Sequence, residues 1–206
     1  MERDRRLIRQ GHHTRRPVVR EEYDGGISIS SMEIVYILIS IVTLVLAFTY
    51  FFGISDRGLI IGVVAGIIIH ELSHKFTAQS MGFRSEYKLW EIGLVLVVAF
   101  AIATKGKFIF AAPGFVVTRG MASIKERGII SFSAPFSNII LAVFFAMLSA
   151  PWAKSAALVN VFLGAFNLLP LGPLDGSKVL SWNGTVWVLS LLFCLVLGFS
   201  LIVPNF

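Results

Sequence analysis

The chain of 206 residues has a single cysteine, Cys194, and its Asp, Glu, Lys and Arg together make up only 15% of it. An ordinary soluble domain carries about 25% charged residues. One cysteine excludes an intrachain disulfide and a thiolate metal cluster. A hydrophobic fraction of 56% excludes a disordered chain. Acid is scarcest toward the C-terminus, where Asp175 is the only Asp or Glu in the last 70 positions. No glycine loop suited to a phosphate and no serine-nucleophile constellation is present, and Ser73 has no paired base. Long apolar runs, in contrast, are abundant. Mean hydropathy is +0.80, and residues 34–54, 131–153, 155–174 and 179–206 carry no charge. Each run reaches the ~20 residues that cross a bilayer core. The composition is that of a polytopic membrane protein, with the lipid bilayer as its first partner.

The net charge of +6 is concentrated rather than spread. Seven arginines, from Arg3 to Arg20, crowd the first twenty residues. Acids interleave them and aromatics are nearly absent, so the segment reads as a tail that orients the first helix, with no nucleic-acid partner. The apolar run behind it is too long for a signal peptide. The domain reading is therefore a basic cytoplasmic tail over 1–31 and a membrane-embedded domain over 32–206. Five spans are expected, at about 32–53, 59–81, 131–150, 156–174 and 185–203. With the N-terminus inside, 16 of the 18 lysines and arginines fall on the cytoplasmic side and only Arg57 and Lys154 fall outside. That bias favours a multi-pass protein of the cell membrane with a cytoplasmic N-terminus. Both ends of 82–130 then lie inside, so the short apolar piece 92–104 cannot cross alone. Residues 89–118 are expected to form a re-entrant or interfacial unit, with a strand hairpin over 106–118 broken at Pro113-Gly114. The fold class is all-α and polytopic, with this element between spans two and three.

The chemistry concentrates in His70-Glu71-Leu72-Ser73-His74. On a helix, residues four apart share one face, so both imidazoles can reach one metal ion with Glu71 beside it. The pattern suits Zn²⁺ with an open position, a bound water of lowered pKa and a carboxylate that takes its proton. Two histidines leave the ion short of a protein ligand, and Asp175 is the candidate third, at a helix break made by Pro170, Gly172, Pro173 and Gly176. Gly62, Gly66, His70, His74, Ala78 and Gly82 fall at successive four-residue steps. Such a ridge lets a neighbouring helix approach closely, and span four is the expected neighbour because it leads to Asp175.

These residues resemble the site-2 protease family of intramembrane zinc metalloproteases. The family's His-Glu-x-x-His-x-x-x-Ala-x-x-x-Gly is matched by His70, Glu71, His74, Ala78 and Gly82. Its Asn-x-x-Pro-x-x-x-Leu-Asp-Gly is matched by Asn167, Pro170, Leu174, Asp175 and Gly176. A third element, usually Gly-Pro-x-x-Asn, appears as Ala134-Pro135-Phe136-Ser137-Asn138, with Ala in place of the first Gly. The resemblance covers about 59–183 and implies a minimal, archaeal-type member without a PDZ insert. By this resemblance His70, His74 and Asp175 bind one zinc ion, Glu71 is the catalytic base, and Asn138 and Asn167 hold the substrate backbone or oxyanion. The implied activity is a zinc metalloendopeptidase that cleaves transmembrane segments of substrate proteins. Alternative readings are a zinc-binding membrane transporter or sensor, and a catalytically silent adaptor of the same fold. The sequence carries no signal for oligomeric state.

Overall fold

The chain is described here by a computed structural model. The described residues are 26–47, 49, 56–104, 113–172 and 174–203. The basic tail expected over 1–31 lies outside them as far as residue 25. The elements in chain order are α1 (Ser31–Leu46), α2 (Arg57–Ser80), β1 (Arg84–Leu89), α3 (Glu91–Thr104), β2 (Gly114–Arg119), α4 (Ile124–Ala146), α5 (Ala153–Asn167), α6 (Asp175–Trp182) and α7 (Gly184–Ile202).

Helix starts are set by side chains that satisfy otherwise orphaned N–H groups. Ser30 with Glu33, and Ser123 with Glu126, form capping boxes at α1 and α4. Asp56 accepts from the N–H groups of Gly58 and Leu59 at the start of α2, and its other oxygen accepts from the Ser155 hydroxyl of α5 at 2.6 Å. The capping box at Ser123 starts α4 seven residues before the expected third span.

Among the described residues three helices, α2, α4 and α7, are long and apolar enough to cross a membrane. The expected five spans are thus supported at three places. The first expected span is described as helix over Ser31–Leu46, sixteen residues, and residues 48 and 50–55 lie outside the described residues. The fourth is reduced to the fifteen residues of α5, about 22 Å long. It ends at Asn167, because Pro170 follows three residues later and the chain turns through Leu168–Leu171. The fifth coincides with α7, whose apolar residues are mostly exposed, as on a lipid-facing helix.

The chain is mostly helical, and the strand element expected between the second and third spans is present. β1 pairs with β2 in an antiparallel two-stranded sheet, from Arg84 opposite Arg119 to Leu89 opposite Gly114. Of the hairpin expected over 106–118, residues 114–118 belong to β2, which pairs across α3 with β1, and residues 105–112 lie outside the described residues. Strand β1 is legible only as the alternation Arg84, Glu86, Lys88 against Ser85, Tyr87, Leu89. Its buried face includes a serine, which breaks the apolar signal.

Packing centres on α2, which lies against both α4 and α5. A Cβ at Gly62 would stand 2.7 Å from the Ala156 Cα and 2.9 Å from the Ala156 oxygen. Glycine there permits backbone-to-backbone contact with α5, as the ridge of small residues predicted. Leu44 of α1 meets Val63 and Ile67 of α2. Ile139 and Ala142 of α4, Val161 of α5 and Cys194 of α7 form a second apolar cluster. Gly62→Ala should therefore lower the thermal midpoint in detergent, with an overpacking cost of about 1–3 kcal/mol. Gly172→Ala, where nothing lies within 4 Å of the added carbon, serves as the control and should leave the midpoint unchanged.

Candidate metal centre

Helix α2 carries His70 and His74 one turn apart, with ring centroids 5.0 Å apart and planes nearly perpendicular. Each ring is fixed through Nδ1. His70 Nδ1 lies 2.7 Å from Asn138 Oδ1 on α4, and His74 Nδ1 lies 2.9 Å from the Ile130 carbonyl of the same helix. Both partners are acceptors when the Asn138 amide nitrogen donates elsewhere, as it does here. Each Nδ1 is therefore the protonated nitrogen, and each neutral ring presents a lone pair on Nε2. Pro135 withholds an N–H from the same stretch of α4, near the carbonyl that orients His74.

Asp175 is the first residue of α6. The chain leaves α5 at Asn167, turns, and re-enters a helix at Asp175, so its carboxylate projects from the helix start. Two contacts hold this junction. A Cβ at Gly128 of α4 would stand 2.2 Å from Trp182 Cβ, so glycine lets α6 lie close to α4. The Trp187 indole N–H of α7 donates to the Leu168 carbonyl at 2.7 Å. As a result Asp175 Oδ2 lies 3.4 Å from His70 Nε2 and 3.2 Å from His74 Nε2.

The donor set fits a zinc ion. Its three ligand atoms lie within 4.8 Å of one another. Ligands at about 2.0–2.1 Å in a tetrahedron stand about 3.3–3.4 Å apart, close to the two histidine–carboxylate separations. Two lone pairs and a carboxylate facing one another inside the protein repel unless a cation lies among them. Three protein ligands leave a fourth position open, the arrangement of catalytic rather than structural zinc. Glu71, adjacent to His70 on α2, lies beside the backbone of Val116 in β2.

The two asparagines are placed differently. Asn138 is 0% exposed and both its amide N–H groups are engaged. Its oxygen serves His70, and its nitrogen donates to the Gly66 carbonyl and to Asn160 Oδ1, both at 3.1 Å. The expected substrate or oxyanion contact of Asn138 would have to replace one of these two bonds, since both its N–H groups are engaged within the protein. Asn138 orients a ligand histidine. Asn167, half-buried at the end of α5, donates back to the Leu163 carbonyl and makes no hydrogen bond to His70, Glu71, His74 or Asp175.

Asn160 was missed. It is also 0% exposed, and it links Asn138 to α5 while donating to the Gly62 and Ala156 carbonyls. Its signal was an amide in the middle of an uncharged run, where a polar group must find a partner.

A protein of Methanocaldococcus jannaschii whose name reads "putative zinc metalloprotease" is 33% identical over 176 residues, which span 78% of this chain and 89% of that protein. The chain belongs to this zinc metalloprotease family. No family model and no solved structure matches it. The metalloprotease chain thus carries its donor set on α2 and α6, held from behind by α4 and α5. Asn138→Ala should lower zinc affinity about 10–100-fold while leaving all three ligands in place. Competition with a zinc chelator measures it, and unchanged affinity would show that His70 does not depend on Asn138.

Proposed function

We propose that this metalloprotease is a site-2-protease-like enzyme that hydrolyses peptide bonds within transmembrane segments of substrate proteins. The observation that carries the reading is the depth of the site. His70, Glu71 and His74 lie in the second half of α2, one of the three helices long and apolar enough to span a bilayer. Counted from Gly58, His70 is about 18 Å along the helix, inside a hydrocarbon core of about 30 Å. A peptidase with its ligands there meets substrate inside the membrane. The proposal includes a multi-pass arrangement with the N-terminus cytoplasmic, supported by the lysine and arginine bias.

Zinc, when bound, supplies a Lewis acid for the scissile carbonyl and lowers the pKa of its water. His70, His74 and Asp175 would hold it, with Asn138 and the Ile130 carbonyl fixing the two rings. Glu71 takes one proton from the attacking water as the C–O bond forms. It returns that proton to the departing amide nitrogen as the C–N bond breaks. A substrate helix must unwind to be cut, since its carbonyls are otherwise engaged in intrahelical bonds. The edge of β2 beside Glu71 offers backbone groups to such an extended segment.

Glu71→Gln should retain full zinc content and lose peptide cleavage by about 10²–10⁴-fold, because its amide cannot take the water proton. The assay is cleavage of a single-span peptide with a Gly-Pro break in its transmembrane segment, in detergent. Wild-type cleavage by this variant would overturn the mechanism. For topology, single cysteines at Arg20→Cys and Lys154→Cys in a Cys194→Ala background should label from opposite faces of sealed vesicles, with residue 20 inside. Labelling from one face would overturn the proposed orientation.

A further inference from the structure

An antiparallel strand pair alternates between residues that bond across the pair and residues whose N–H and C=O point outward. Ser85 and Tyr87 of β1 are of the outward kind. The Tyr87 N–H donates to Glu33 Oε1 at 2.7 Å, and the Ser85 carbonyl accepts from Lys75 Nζ at 3.3 Å and from Gln79 Nε2 at 3.1 Å. Lys75 also donates to Glu33 Oε1. Their cross-strand partners, Thr118 and Val116, consequently direct their backbone groups to the opposite edge, and Glu71 lies beside Val116 there.

The sheet therefore has two unlike edges. The β1 edge is closed by a carboxylate from α1 and an ammonium and an amide from α2, which together act as a third strand would. The β2 edge faces the metal centre. Glu71, Lys75 and Gln79 are spaced by four, so they form one stripe of α2, beside the His70–His74 stripe. This single stripe lies beside β2 at Glu71 and bonds β1 at Lys75 and Gln79. Gln79 also holds the chain entering α1, donating to the Ser28 carbonyl at 3.2 Å and accepting from its N–H at 3.1 Å.

We propose that Glu33 and Lys75 are positioning residues: by closing the β1 edge they set the outward edge of β2 against Glu71 and so decide how a substrate backbone is presented. The inference rests on the peptidase reading above. Lys75 is 1% exposed, and the Glu33 side chain 6%. A buried ion pair is weak evidence for stability as such, and its best-attested use is to fix register. The chemistry here is directional, because the ammonium must face a carbonyl and the carboxylate must face an N–H.

The charge swap Glu33→Lys with Lys75→Glu tests that directionality. It keeps the ion pair but sets an ammonium against the Tyr87 N–H and a carboxylate against the Ser85 carbonyl. The neutral pair Glu33→Gln with Lys75→Met is the companion, in case the swap does not fold. In both, bound zinc should stay at the wild-type level. Hydrogen exchange in 84–89 and 114–119 should speed up roughly tenfold or more, while α2, α4 and α5 stay protected. KM for the Gly-Pro single-span peptide should rise roughly tenfold with kcat within about threefold.

A swap with wild-type exchange and KM would show that the pair only balances charge, and would overturn the inference. So would faster exchange with unchanged KM, or uniform loss of protection together with zinc. A wild-type protein that binds zinc but leaves the peptide intact would sink the peptidase reading, and with it the catalytic part of this inference. The exchange rates would then still judge the closure of the β1 edge.

Discussion

Helix α2 must satisfy its polar side chains without water, and the rest of the structure follows from how it does so. Its two imidazoles, and its carboxylate, ammonium and glutamine amide, fall on two neighbouring stripes. His70 and His74 are met from behind by an amide and a carbonyl of α4. Glu71, Lys75 and Gln79 are met by backbone groups of the sheet and by α1. Among the described residues no buried side-chain nitrogen or oxygen lacks a partner. An unpaired group at this depth would cost several kcal/mol, so each stripe dictates where its neighbours must lie.

The hydrogen bonds behind the histidines make the ligand geometry specific. Committing both Nδ1 atoms leaves both Nε2 lone pairs directed at Asp175. The chain from Asn160 through Asn138 to His70 ties that choice to the packing of α5 on α2. Glycine at 62 is what allows α5 so near. The contact that brings the helices together therefore also delivers the turn ending in Asp175.

The short β1–α3–β2 segment plays the opposite part. Most of its sheet's exposed face is charged, with Arg84, Lys88 and Arg119 around Glu86. Its buried face carries Tyr87, whose hydroxyl meets the Ser40 hydroxyl of α1 at 2.8 Å. The sheet is thus wedged between α1 and α2, with one edge left toward Glu71. Two strands alone are marginal in water, so this sheet depends on the helices that hold its edge and its inner face.

The sequence by itself determined the ligand set, since His70, Glu71 and His74 are spaced by the local period of a helix and Asp175 is the lone acid of a long apolar region. It also located α2, α4 and α7, because a spanning helix is written as a continuous apolar run. Tertiary structure alone decided that Asn138 faces His70, that Asn160 and the Ile130 carbonyl complete the support, and that β1 exists. It also decided that α5 stops short of a full span. The physical reason is separation along the chain: these pairings join residues tens of positions apart, such as Glu33 with Tyr87 or Gly66 with Asn138. No local periodicity records which distant donor will meet which acceptor. That choice is made when apolar packing sets the helices at fixed distances and the excluded water leaves each buried polar atom with the partner then in reach.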